Sequence, residues 1–199
     1  MFTVHRILRH RIETDGKGVT ALIGLTLCPL SCKYCLNRKA LNSNDFFRMS
    51  PEELLECLMQ DACYMIATGG GATFGGGEPL LQYKDIEEFA KIKPEWLKIN
   101  IETSLQVPEE VIRRLLPHVD QWIIDIKTLD EDIYNKYTGW MISDMLRNLD
   151  LLAKSAPEKC RIRIPVIPNF KDKKTALEEE KLIREKGFTD TEVFDYVIR

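Results

Sequence analysis

The sequence predicts an α/β fold: an open partial barrel of six parallel strands with crossover helices, in a single domain spanning residues 1–199. Three observations predict it. Strand-like and helix-like segments alternate along the whole chain, which is the pattern of parallel strands joined by helices. The repeats stop at six, short of the eight that close a barrel. The chemically distinctive residues also follow the strand-like segments, where parallel βα architectures gather their chemistry.

Residues 2–9 read as an additional edge strand, and the apolar run 19–27 as the first buried parallel strand. Ser50-Pro51-Glu52-Glu53 supplies an N-cap, a first-turn proline and a capping box for a helix over 52–67. Residues 72–74 form a short second strand, reached through Gly69-Gly70-Gly71, which reads as a flexible turn; a helix follows at 84–91. The third strand spans 97–102, and Pro108-Glu109-Glu110 opens a helix ending near His118. Strand 121–126 leads to a helix at 143–155. Strand 161–166 leads to a helix at 174–186, stopped by Gly187. Residues 192–198 form the sixth strand.

With 199 residues and 44% hydrophobic content, the chain can fill one full core. A formal charge of −3 provides no basic field for nucleic acid. His5, Arg6, Arg9, His10, Arg11, Glu13 and Asp15 leave no room for the apolar centre of a signal peptide. No apolar run approaches the roughly 20 residues of a membrane helix. The expectation is a soluble cytoplasmic protein with no membrane and no nucleic-acid partner.

Cys28-Pro29-Leu30-Ser31-Cys32-Lys33-Tyr34-Cys35 directly follows the first parallel strand. Three thiolates at this spacing on a strand-exit loop can hold three corners of an iron–sulfur cubane and leave the fourth iron open; a fourth cysteine would leave only an electron carrier. Gly76-Gly77-Glu78-Pro79 follows the second strand, and its glycines let backbone approach a bound molecule closely. Glu102 and Thr103 end the third strand, Asp125 and Lys127 the fourth. Arg163 lies on the fifth, and Asp195 and Tyr196 on the sixth.

The cysteine spacing followed by Gly76-Gly77-Glu78-Pro79 resembles the radical S-adenosylmethionine (radical SAM) enzymes, and within them the glycyl-radical-enzyme activating enzymes. The resemblance implies a radical SAM core with one [4Fe–4S] cluster on Cys28, Cys32 and Cys35. It implies S-adenosylmethionine (SAM) chelated to the open iron and cleaved by one electron to a 5′-deoxyadenosyl radical. Gly76, Gly77 and Glu78 would then serve the methionyl end, Tyr34 the adenine face and Asn37 its edge. Asp125-Ile126-Lys127 resembles the family's Asp-Leu-Lys around the methionyl carboxylate, where the acid also helps hold a monovalent cation. Arg163, in Arg161-Ile162-Arg163-Ile164-Pro165, aligns with a basic strand that contacts cofactor or substrate. Glu102-Thr103-Ser104-Leu105 stands where the family has Asp-Thr-Asn-Gly and its ribose and cation contacts. Asp15-Gly16 stands in a turn resembling Asp-Gly-Pro-Gly, with Lys17 in place of proline, and is assigned to substrate binding. The implied partners are a glycyl radical enzyme as protein substrate and a low-potential electron donor such as flavodoxin or ferredoxin.

Two other readings share these residues: a radical SAM enzyme acting on anaerobic ribonucleotide reductase, a peptide or a small molecule, and a non-catalytic iron–sulfur or zinc module. A structural zinc site needs four ligands, usually as two pairs, and the chain has no second pair. Cys57, Cys63 and Cys160 read as buried inert thiols. His5, His10 and His118 lack metal-ligand spacing, and Glu178-Glu179-Glu180 reads as a solvated helix face.

Overall fold

The structure is a computed structural model describing residues 1–196. It contains one eight-stranded sheet, made of β1 (Phe2–Ile12), β2 (Val19–Leu25), β3 (Phe47–Met49), β4 (Gly71–Gly76), β5 (Lys98–Thr103), β6 (Gln121–Asp125), β7 (Cys160–Val166) and β8 (Asp190–Asp195). The strand order is β3-β1-β2-β4-β5-β6-β7-β8. Strands β2 and β4 to β8 run parallel, giving the six expected parallel strands, while β1 pairs antiparallel with both β2 and β3. The N-terminal strand is longer than expected and is not the edge, because β3 covers it. The part of the predicted sixth strand beyond Tyr196 lies outside the described residues.

The helices are α1 (Arg38–Leu41), α2 (Pro51–Met59), α3 (Ala62–Thr68), α4 (Tyr83–Ile92), α5 (Glu109–Leu115), α6 (Glu131–Thr138), α7 (Ser143–Ser155) and α8 (Lys173–Glu185). Ser50 closes its capping box with Glu53, as the sequence indicated. The single helix expected over 52–67 is two, broken at Gln60–Asp61. Asp61 turns inward there, accepting Arg9 Nε and Nη2 at 2.5 Å each and lying 2.8 Å from His10 Nε2. α6 escaped the sequence reading although Asp130 caps its start and Gly139, at φ 75°, ends it.

Strand alternation sorts the residues between two faces. Ile99, Ile101, Trp122, Ile124, Ile162 and Ile164 join the helix residues Leu54, Leu58, Ile86, Phe89, Leu149 and Ile183 in one buried core. The residues between them (Asn100, Glu102, Asp125, Arg161 and Arg163) give the opposite face of the same strands a polar lining. Gly69-Gly70-Gly71 is a packing device rather than a flexible turn. Gly69 ends α3 at φ 69°, and a Cβ on Gly70 would lie 1.9 Å from the Val19 carbonyl oxygen.

Two further expectations are corrected. Of the acidic run on α8, Glu179 is 5% exposed and not solvated. Among the remaining cysteines only Cys160 is buried; its thiol donates to the Ala156 carbonyl at 3.3 Å and burial pushes it up to about 12, whereas Cys57 is half-buried and Cys63 exposed. Among the described residues no helix is long and apolar enough to cross a membrane.

Candidate functional site

The three cysteines follow β2 on a loop that is fastened at both of its flanks. On one side Gly77 N donates to Leu25 O at 2.9 Å and Glu78 N to Leu27 O at 2.8 Å, so the glycine turn after β4 lies directly on the strand exit. On the other, Ser31 N donates to Thr138 O at 2.8 Å and Lys33 N to Tyr137 O at 3.0 Å, at the end of α6. Leu27 itself adopts φ 72°, an uncommon conformation for a branched side chain, immediately before the first cysteine. Tyr34 stands edge-on to Tyr137 and Phe170, with both centroids 6.0 Å away. Its hydroxyl accepts from Asn169 Nδ2 at 3.1 Å, and its carbonyl accepts from Tyr196 Oη at 2.6 Å.

Burial pushes the Cys28 thiol up to about 12, the bond from the Leu30 backbone opposing it. Burial also raises Cys32, against the nearby Lys127 ammonium. Asn37 donates to Gly76 O at 2.7 Å and accepts from Arg6 at 2.9 Å, so its amide braces the glycine turn to the cysteine loop.

Glu78 is 1% exposed and accepts from four donors: Thr103 Oγ1 (2.7 Å), Ser104 N (2.9 Å), Ser104 Oγ (2.7 Å) and Leu80 N (3.3 Å). Burial pushes its carboxyl up, against these bonds. Its acceptor capacity is thereby used in locking the end of β5 to the glycine turn. Thr103, buried and bonded to Glu78, faces the same lock rather than the open face.

An ion network crosses the polar face. Register places Arg163 beside Asp125 on neighbouring strands. Arg163 Nη1 bonds Glu102 Oε1 at 2.8 Å, Arg163 Nε lies 3.3 Å from Asp125 Oδ1, and Lys127 Nζ lies 3.1 Å from Asp125 Oδ2. Burial raises Asp125, but Lys127 and Arg163 outweigh it and hold the carboxyl below its ordinary value. Lys127 is raised despite burial by Asp125 and Cys32. Asp125 Oδ1 is a buried acceptor with no hydrogen-bond partner among the described residues. Asp15 is 5% exposed and paired with Arg11, its carbonyl accepting from Thr73 Oγ1, and Gly16 packs against Asn100. Those two residues lie between β1 and β2, against Thr73 and the Asn100 side chain of the polar face.

Burial pushes Glu102 up to about 7 against Arg163, with Asp125 and Asp15 adding to the rise. The folded chain thus holds a proton that the unfolded chain, near 4.5, has released. From this group, stability falls as pH rises from about 4.5 to about 7. Urea midpoints at pH 5 and pH 8 should show that drop, and Glu102→Gln should flatten it.

The cysteines, Gly76-Gly77-Glu78, Asp125, Lys127 and Arg163 are thus brought to one end of the parallel strands. Asn169, Phe170 and Tyr137, which hold Tyr34, were missed. They lie in irregular or helical segments whose local sequence carries no sign of the cysteine loop.

Residues 22–179 match the Radical SAM superfamily model. The chain is 40% identical over 149 residues to the (2S)-3-sulfopropanediol dehydratase activating enzyme of Klebsiella oxytoca, covering 71% of this chain and 46% of that enzyme. It is 31% identical over 173 residues to the pyruvate formate-lyase-activating enzyme of Clostridium pasteurianum, covering 83% of this chain and 71% of that one. The chain spans less than half the length of several curated relatives it matches, at 46%, 38% and 41%. In fold it is similar to SuiB of Streptococcus suis bound to S-adenosylmethionine, with a TM-score of 0.66 at 18% identity, over 85% of this chain and 38% of that one.

Proposed function

The chain belongs to the Radical SAM superfamily, and from that premise we propose that it is an activating enzyme that abstracts hydrogen from a backbone glycine of a glycyl radical enzyme. The superfamily works with a [4Fe–4S] cluster and SAM, and the residues present fit both. Three thiols share one loop, with no carboxylate from Cys28 to Asn44 to compete for iron. No group of three or more His, Cys, Asp or Glu side chains among the described residues could hold a metal ion. A cubane takes one thiolate per iron, so its ligands need not converge on one point. When bound, cluster and SAM supply reductive cleavage of the sulfonium and with it a hydrogen-abstracting radical.

The chain's own residues supply the setting. Cys28, Cys32 and Cys35 bind three irons. The Gly76-Gly77 turn offers its backbone to the methionyl ammonium while Glu78 fixes the turn from behind. Lys127 offers a cation to the methionyl carboxylate, and Asp125 Oδ1, 3.3 Å from Arg163 Nε and otherwise without a hydrogen-bond partner among the described residues, is placed to accept from a cofactor donor or to face a monovalent cation. Tyr34 and Asn37 border the adenine side, and Arg163, held by Glu102 and Asp125, faces the substrate. A low-potential donor such as flavodoxin or ferredoxin supplies the electron, in the cytoplasm. The single observation carrying this assignment is the docking of the glycine turn on the strand exit, beside a cysteine loop whose Cys32 feels the Lys127 and Asp125 charges.

Reduced enzyme, SAM and a candidate glycyl radical enzyme should give a doublet electron paramagnetic resonance signal. Deuterium at the partner glycine Cα should appear in 5′-deoxyadenosine. Label coming instead from a small molecule, with no radical on any protein, would reassign the chain to another radical SAM reaction. Lys127→Ala should keep its iron and lose about ten- to a hundredfold in SAM affinity, since a charge-assisted contact contributes ~1.5–3 kcal/mol. Unchanged affinity would reduce Asp125 and Lys127 to a structural ion pair.

A further inference from the structure

We infer that Glu179 is a positioning residue whose buried carboxylate ties the loop carrying Asp125 and Lys127 to the turn that holds the cysteine loop, and so sets the two halves of the site against each other; only what the site binds rests on the family assignment. Glu179 points inward from α8, and its two oxygens face different segments. Oε1 accepts from Thr128 Oγ1 at 2.6 Å and from Leu129 N at 2.7 Å, immediately after Lys127. Oε2 accepts from Lys171 Nζ at 2.6 Å.

Lys171 closes the turn at 167–171, where Ile167 N donates to Lys171 O at 2.9 Å and Lys171 N to Ile167 O at 2.8 Å. Asn169 on that turn, at φ 65°, donates to the Tyr34 hydroxyl, and Phe170 packs on both Tyr34 and Tyr137. Tyr34 lies between Cys32 and Cys35 in the chain. One carboxylate therefore leads, through two bonds on one side, to Lys127 and, through an ion pair and a five-residue turn on the other, to the cysteines.

The Lys171 and Glu179 side chains are 0% and 6% exposed. Burial lowers Lys171 against the opposing pull of Glu179. A buried ion pair is a poor source of net stability compared with apolar packing, but its geometry is fixed because every lone pair and proton must be matched. That directional rigidity suits a part whose task is to hold two loops in register.

Two variants cut the tie at different ends. Thr128→Val removes the Glu179 bond on the loop side, together with the 3.2 Å bond that the Thr128 hydroxyl accepts from Asp130 N, and leaves the ion pair. Lys171→Met with Glu179→Gln replaces the ion pair with neutral side chains of similar length, while the glutamine oxygen can still accept from Thr128 and Leu129. In the metal-free chain, iodoacetamide alkylation of Cys32 and Cys35 should rise about fivefold in the double variant and stay unchanged in Thr128→Val. In reconstituted, unreduced protein, SAM affinity should fall about tenfold in both, the effect of losing one bond to a charged group. Circular dichroism should show both variants folded. Alkylation and affinity both within twofold of the parent, with only the melting temperature lowered, would make Glu179 ordinary packing. A parent chain that binds no SAM would overturn the functional assignment instead, and the alkylation rates of the metal-free chain would still decide the tie.

Discussion

Alanine at Cys28, Cys32 or Cys35 should abolish reconstituted iron and sulfide together with SAM cleavage, while alanine at Cys57, Cys63 or Cys160 keeps both. In the proposed assignment each of the first three would be the one protein ligand of its iron, so removing any of them would leave a corner without a thiolate. The other three lie on α2, on α3 and at the start of β7, away from the fastened loop. Cys160→Ala deletes a buried thiol and its bond to Ala156, at a stability cost of about 1–2 kcal/mol. Because burial holds Cys28 and Cys32 above the ordinary thiol value, loading must release their protons, and iron uptake should be greater at pH 8.5 than at pH 7. Loss of iron from a folded Cys57 or Cys63 variant would overturn the ligand set.

The second large effect is expected from one methyl group. In Gly77→Ala the new Cβ would sit 2.1 Å from the Leu27 carbonyl oxygen and 3.2 Å from that of Leu25. Both obstacles are backbone, so the glycine turn must lift, breaking the bonds that Gly77 N and Glu78 N make to the strand exit. Glu78 would then lose register with Thr103 and Ser104. Overpacking of this kind costs about 1–3 kcal/mol, or roughly 2–12 °C in melting temperature for a chain of this size. SAM affinity should fall by more than tenfold, and calorimetry with equilibrium binding on the same preparation measures both. A variant that melts and binds like its parent would show that the turn tolerates displacement.

The parallel core and the cysteine loop were legible because both follow from local signals: buried apolar runs, a capping box, and three thiols at short spacing. The polar face could also have been read, since Lys98-Ile99-Asn100-Ile101-Glu102 and Arg161-Ile162-Arg163-Ile164 alternate strictly. The roles of Glu78, Thr103 and Asn37 could not, because their donors and acceptors come from segments up to 39 residues away. Glu179 illustrates the same limit: three consecutive glutamates look alike in sequence, and only the packing of α8 decides which one turns inward. The split between α2 and α3 was hidden too, because Asp61 answers to Arg9 and His10 on the first strand.

Tyr34 draws its restraints from distant segments of the chain, from Asn169, 135 residues later, and from Tyr196, 162 residues later. Contacts of such sequence separation form late, because the loops they close, of 135 and 162 residues, are costly to close. During synthesis the cysteines therefore emerge well before Asn169 and Tyr196 and stay without these restraints until β8 and Tyr196 have been made. A finished geometry around the cysteines accordingly waits for residues 169–196, and a nascent chain carries its three thiols without these restraints while the whole interval between is made.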